Sequence, residues 1–133
     1  MNLREYPVFN KKEILPLYSS VGWTNYVNTP DMLERAYQNS LLKIAAFDGD
    51  KLIGVIRAVG DGESIVFIQD LLVLPEYQRK GIGTQLLRAV MERFPSVYQL
   101  ELMTDHTEKT ISFYKSLGFA KADEIGCCAF IKM

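Results

Sequence analysis

Between Ile65 and Phe94 a continuous apolar run passes through a short basic loop with two glycines into an amphipathic helix, and few folds accommodate that succession. Ile65 to Leu74 is apolar at odd and even positions alike, rich in β-branched and aromatic residues, and closed by Pro75. That is the pattern of a central strand buried on both faces. Beyond Gly83 the residues Leu86, Leu87, Val90, Met91 and Phe94 recur at helical spacing, Gln85, Arg88, Glu92 and Arg93 take the other face, and Pro95 stops the helix. In the joining loop, Gln78 to Thr84, the missing Cβ atoms of Gly81 and Gly83 let a ligand approach the backbone. The first helical turn then presents unpaired N–H groups at the positive end of the helix dipole, with Arg79 and Lys80 at the mouth. A seat for a diphosphate is expected there. A Walker loop is disfavoured because Lys80 precedes Gly81, and a dinucleotide fingerprint because Pro75 to Lys80 intervene and Leu86 stands where its third glycine belongs. Glycine spacing alone also leaves open an ordinary strand-to-helix turn.

The rest of the chain fits one α/β domain over residues 1–133, long enough to bury a core. A net charge of −1 gives no general reason to bind nucleic acid or an anionic membrane. No run is long enough to span a bilayer, and the first residues lack the apolar core of a signal peptide, so a cytoplasmic protein is expected. Cys127 and Cys128 are adjacent, poor spacing for a disulfide or a zinc site, and with His106 as the only histidine no metal site is expected. The two cysteines read as buried thiols in a strand.

Upstream, residues 2 to 8 read as a first strand and 11 to 20 as a short helix despite Pro16. Thr29-Pro30-Asp31 marks a second helix with Thr29 as its cap. Leu41 to Phe47 and Leu52 to Val59, joined by Asp48-Gly49-Asp50-Lys51, form a hairpin pattern. Downstream come a strand near Val97 to Met103, a helix from Glu108 to Leu117 ended by Gly118, and two short strands toward Met133. The expected order is βααβββαβαββ, an α/β domain with a mixed, mostly antiparallel sheet flanked by helices. Its edge strands leave a homodimer possible.

Val73-x-Pro75-Glu76-Tyr77-Gln78-Arg79-Lys80-Gly81-Ile82-Gly83 with Leu86-Leu87 resembles the acyl-CoA-binding motif of the GNAT superfamily of N-acyltransferases. Ile111-x-Phe113-Tyr114-x-x-Leu117-Gly118-Phe119 resembles that superfamily's segment after the fifth strand. The resemblance implies acetyl-CoA as co-substrate and a primary amine of a small molecule as acceptor, attacking directly in a ternary complex. It also implies that the backbone of Leu71, Leu72 and Val73 follows the pantetheine arm, with Arg79, Lys80, Gly81, Ile82, Gly83 and Thr84 around the diphosphate. A catalytically degenerate acyl-CoA sensor, a protein N-acetyltransferase and a nucleotide-binding module are the alternatives.

Transfer to an amine makes chemical demands. An alkyl ammonium, with a pKa of about 10.4 in water, must lose a proton before attacking a thioester. The expelled thiolate needs an acid, and the developing oxyanion a main-chain donor. Tyr114 shares a helix face with Thr110, Phe113 and Leu117, so a core tyrosine is its plain reading; the resemblance implies the acid. Seven residues before it the superfamily often has an asparagine on the cofactor, where this chain has Thr107, which reads as a helix cap. Gln69 and Asp70 are polar residues inside an apolar strand, where each needs a partner or a task, and alternation sends them to opposite faces unless a bulge intervenes. Asp70 reads either as a structural carboxylate or, by resemblance to sugar-amine acetyltransferases, as a residue that orients or deprotonates the amine. His106 is suited to proton shuttling but equally to a solvated turn. Trp23 and Tyr26 lie in a turn-rich segment that the superfamily places over the acceptor, and are candidates for substrate binding or for loop anchoring.

Overall fold

Five strands form one sheet in chain order, β1 (Asn2–Glu5), β2 (Leu42–Asp48), β3 (Lys51–Gly60), β4 (Ile65–Val73) and β5 (Gln99–Leu102), in the computed structural model, which describes residues 1–133. The first three junctions are antiparallel and the β4–β5 junction is parallel. The chain divides into two units, residues 1–102 and 103–133, and the sheet belongs to the first. This is the mixed, mostly antiparallel α/β architecture that the sequence pattern predicts. No helix is long and apolar enough to cross a membrane.

Local chemistry explains the elements. Asp48 pairs directly with Lys51, so Gly49 and Asp50 form a two-residue hairpin loop, with Gly49 at φ 62° as such turns require. The β3–β4 turn is held by Asp61, whose side chain accepts hydrogen bonds from the backbone N–H groups of Glu63, Ser64 and Ile65 and from the Ser64 hydroxyl. A parallel β5 cannot follow β4 through a tight turn, and the helix α4 (Ile82–Arg93) supplies the crossover.

Successive residues of β3 face opposite ways, which builds two apolar layers. Val55 points with Ala45 and Leu72 into a cluster with Tyr18, Leu33 and Tyr37, carried by the helices α1 (Lys11–Ser20) and α3 (Pro30–Gln38). Ile53 and Ile56 are buried too, as are Leu86, Leu87 and Val90 of α4, which packs on β2, β3 and β4. A Cβ on Gly54 would lie 3.0 Å from the Leu72 carbonyl oxygen and 3.3 Å from Leu86 Cδ1, so glycine there lets α4 close on the sheet.

Three local expectations need correction. A further one-turn helix, α2 (Thr24–Val27), lies between α1 and α3 where only a turn-rich segment was expected. Thr29 does not cap α3 with its side chain, because its hydroxyl donates instead to the Asn25 carbonyl at 2.7 Å. The two strands expected toward Met133 are not formed, and Cys127 and Cys128 are exposed rather than buried in a strand. The second unit contains the helix α5 (Glu108–Ser116) and a short 3-10 helix, Ala122–Ile125. Gly126, at φ 83°, lets the Cys127 N–H turn back to the Ala122 carbonyl. The Gly126 and Cys127 N–H groups are thus used in local turn bonds, and apolar, β-favouring residues do not make a strand without a paired neighbour.

Candidate functional site

The parallel ladder between β4 and β5 covers Ile65 to Ile68 opposite Gln99 to Leu102 and stops there. From Asp70 to Val73, β4 is paired on its β3 side alone, and Gln69 has no partner on either side. An edge of main-chain donors and acceptors is therefore open in the middle of the sheet, over the stretch that holds Leu71, Leu72 and Val73. The Leu72 side chain is buried in the core, while Leu71 and Val73 are half-buried.

The same strand leads into the basic loop. After Val73 come a 3-10 turn, Pro75–Tyr77, and an extended Gln78 whose side-chain amide donates to the Val73 carbonyl at 3.0 Å. Arg79 then takes φ 63°, the only non-glycine residue in the left-handed region, and Gly81 takes φ 81° immediately before α4. Left-handed backbone at an arginine costs energy, and such strain gathers at binding loops. Helix α4 begins without a side-chain cap, and the Gln85 N–H closes its first turn on Gly81 O at 3.0 Å. The N–H groups of Ile82, Gly83 and Thr84 precede that bond and have no place in the intrahelical ladder. A Cβ built on Gly81 would meet nothing within 4 Å, so the residue just before these donors faces open space. Arg79 and Lys80 are exposed beside it. Unpaired donors, a dipole end, two cations and free approach together fit a diphosphate.

Asp70 sits within the first unit in a different setting. The register shifts between Arg57 and Ala58, which pair with Asp70 and Ile68 respectively, leaving Gln69 as the extra residue of a β-bulge. Asp70 is 1% exposed and Arg57 4%. Arg57 Nε donates to Asp70 Oδ2 at 2.8 Å, and the Tyr18 hydroxyl donates to the same oxygen at 2.7 Å. With its one proton so used, Tyr18 accepts from the Tyr37 hydroxyl at 2.9 Å. Burial, and then the neighbouring Tyr37 and the charge of Asp70, push the Tyr18 hydroxyl far above the usual tyrosine range; burial also raises Tyr37, so both stay protonated donors. Burial works against the Arg57 charge, but Asp70 more than offsets it and the guanidinium is held above its ordinary value. Asp70 Oδ1 is buried without a hydrogen-bond partner, one open acceptor in an otherwise matched network.

Sequence reading missed Arg57, Tyr18 and Tyr37. A usable signal was present in Arg57, a single charge inside the apolar run Leu52 to Val59, one hairpin away from the single charge inside the next strand.

Trp23 and Tyr26 are half-buried and pack edge-on against Tyr18, with ring centroids 6.0 and 5.4 Å away. The Gln69 amide reaches to 3.4 Å from the Tyr26 hydroxyl. Trp23, Tyr26 and Asp70 thus meet through one tyrosine, and the bulge brings Gln69 to the same aromatic group. In the second unit, Tyr114 is half-buried on α5, its ring against Phe113 and Phe119. Burial, reinforced by Asp105, raises its pKa. Thr107 is the α5 cap, accepting from the Thr110 N–H at 3.3 Å, and His106 is exposed.

Comparison with known proteins completes the picture. The profile of the Acetyltransferase (GNAT) family matches residues 12–119. An uncharacterized ycf52-like N-acetyltransferase of Prochlorococcus marinus is 32% identical over 124 residues, 89% of this chain and 67% of its own length. A chloroplastic GCN5-related N-acetyltransferase 2 of Arabidopsis thaliana is 39% identical over 80 residues, 57% of this chain and 29% of that protein. Among solved structures, a GNAT family acetyltransferase from Streptococcus pneumoniae superposes with a TM-score of 0.91 at 42% identity, covering 99% of this chain and 96% of the other.

Proposed function

The chain belongs to the GNAT acetyltransferase family, and from that premise we propose that it transfers the acetyl group of acetyl-CoA to a primary amine of a small molecule. One observation carries this reading: the unpaired edge of β4 from Gln69 to Val73 runs directly into the uncapped, glycine-opened start of α4. An extended pantetheine arm can add to such an edge as a strand would, and its diphosphate then falls at the N–H groups of Ile82, Gly83 and Thr84. Arg79 and Lys80 contribute charge from the rim.

With thioester and amine held together, the amine attacks the carbonyl carbon directly, and a main-chain N–H of β4 steadies the oxyanion. The C–S bond breaks as the tetrahedral intermediate collapses; the attacking nitrogen sheds its proton to water, and the leaving thiolate takes one from an acid, the role that the family motif assigns to Tyr114. Support for Tyr114 comes from its place in the family motif and from a pKa raised by burial, which keeps it protonated. Of the two roles considered for Asp70, orientation suits the geometry better than proton abstraction, since Arg57 and Tyr18 already hold one oxygen.

Two measurements on the purified protein test the proposal: the melting temperature with and without acetyl-CoA, and release of free thiol across a panel of primary amines. A raised melting temperature and amine-dependent thiol release are expected. Binding without release from any amine would replace catalysis with the sensor reading, and no effect of acetyl-CoA at all would end both.

A further inference from the structure

We infer that the acceptor is a primary monoamine with an aromatic or other apolar body, and that Trp23, Tyr26 and Gln69 select it against polyamines and aminoglycosides. The inference rests on the acetyl-transfer reading above and concerns the acceptor side of the same site.

Three observations lead to it. Residues 19 to 30, which carry Trp23 and Tyr26, contain no charged side chain. The aromatic group itself is continuous, Trp23 lying 6.2 Å from Tyr26 and both against Tyr18. Gln69 is exposed as the extra residue of the bulge, at the start of the open β4 edge along which the thioester is proposed to lie, and its amide reaches Tyr26. A neutral amide and aromatic rings are therefore what an amine meets beside that edge.

Charge accounting then separates the acceptor classes. A polycation needs several carboxylates; Asp70, next to Gln69 in the strand, is buried with its charge matched by Arg57, which leaves the exposed Glu101, opposite Phe67 on β5, as a single charge. In the helical layer, Glu13 accepts the Tyr6 hydroxyl at 2.6 Å and Asp31 lies 3.9 Å from Lys11. Glu34 has no such partner, but it stands on α3 and not on α2. A single ammonium can rest against aromatic faces, whereas the second and third charges of a polyamine would lose water without gaining a counter-charge. Low polarity also favours the neutral amine that must attack.

The test is steady-state thiol release from acetyl-CoA with 2-phenylethylamine, butylamine, spermidine and kanamycin, for the native protein and for Trp23→Ala and Gln69→Glu. The expected order places kcat/KM for 2-phenylethylamine at least about 10-fold above spermidine and kanamycin, with butylamine between. Trp23→Ala should raise KM for 2-phenylethylamine about 10-fold while KM for acetyl-CoA stays within about 2-fold. Gln69→Glu, which places an unmatched carboxylate on the exposed bulge, should shift preference toward spermidine. Preference of the native protein for spermidine or kanamycin, or an unchanged preference in Gln69→Glu, overturns the inference and leaves acetyl transfer standing. Thiol release from none of the four amines overturns the transfer reading together with it.

Discussion

Asp70 and Arg57 show how single residues are tied to their surroundings. Each alone would be an expensive charge in the interior, and together with Tyr18 and Tyr37 they form a chain of donors ending on one carboxylate oxygen. Removing one partner strands the other, so Asp70→Asn is expected to cost about 3–5 kcal/mol of unfolding free energy by urea titration. Arg57→Met with Asp70→Leu should recover most of that loss, and a double variant as unstable as the single one would argue against an ion pair as the cause. Asp61 behaves differently because it is exposed. Four hydrogen bonds to the charged carboxylate, that from Ser64 foremost, hold its pKa well below the ordinary value. A depressed folded pKa gives stability present above the unfolded value of about 4 and lost as pH falls toward the folded one. Asp61→Asn should therefore melt below the native protein at pH 7, with the gap narrowing below about pH 4. A gap independent of pH would show that the carboxylate charge is not what holds the turn.

At the scale of elements, the strand, loop and helix from Ile65 to Arg93 carry the binding argument. Gly81→Ala is expected to strain the left-handed position by about 1–2 kcal/mol and put a methyl group into the open approach to the helix start. Coenzyme A affinity measured by calorimetry should fall at least about 10-fold, beyond what the change in melting temperature accounts for. Helix α5 presents the other test. Tyr114→Phe keeps the ring packing against Phe113 and Phe119 and removes the hydroxyl proton, so kcat should drop about 100-fold with KM for acetyl-CoA little changed. Unchanged kcat would remove the acid role. The strand–loop–helix succession and the hairpin through Gly49 were legible in the sequence because period, proline and glycine signals are local. The Arg57–Asp70 pair was not, because it depends on the β3–β4 register and on a bulge at Gln69 that alternation alone does not reveal. Helix α2 is four residues long, too short to leave a periodic trace. Cys127 to Ile131 misled in the opposite sense, since local β preference says nothing about whether a pairing edge is present.

At the scale of the whole molecule, each unit has its own logic. In the first, helices lie on both faces of a sheet whose middle opens beyond Ile68, so the helix-covered sheet itself borders the proposed cofactor track. In the second, α5 has no fully buried residue and residues 128–133 form no helix or strand. Where coenzyme A binds is decisive, and the most direct measurement is a crystal structure grown with excess coenzyme A. It should place the diphosphate on the N–H groups of Ile82, Gly83 and Thr84, with the pantetheine arm alongside Leu71 to Val73. Coenzyme A bound elsewhere, with that corner empty or blocked, would contradict it.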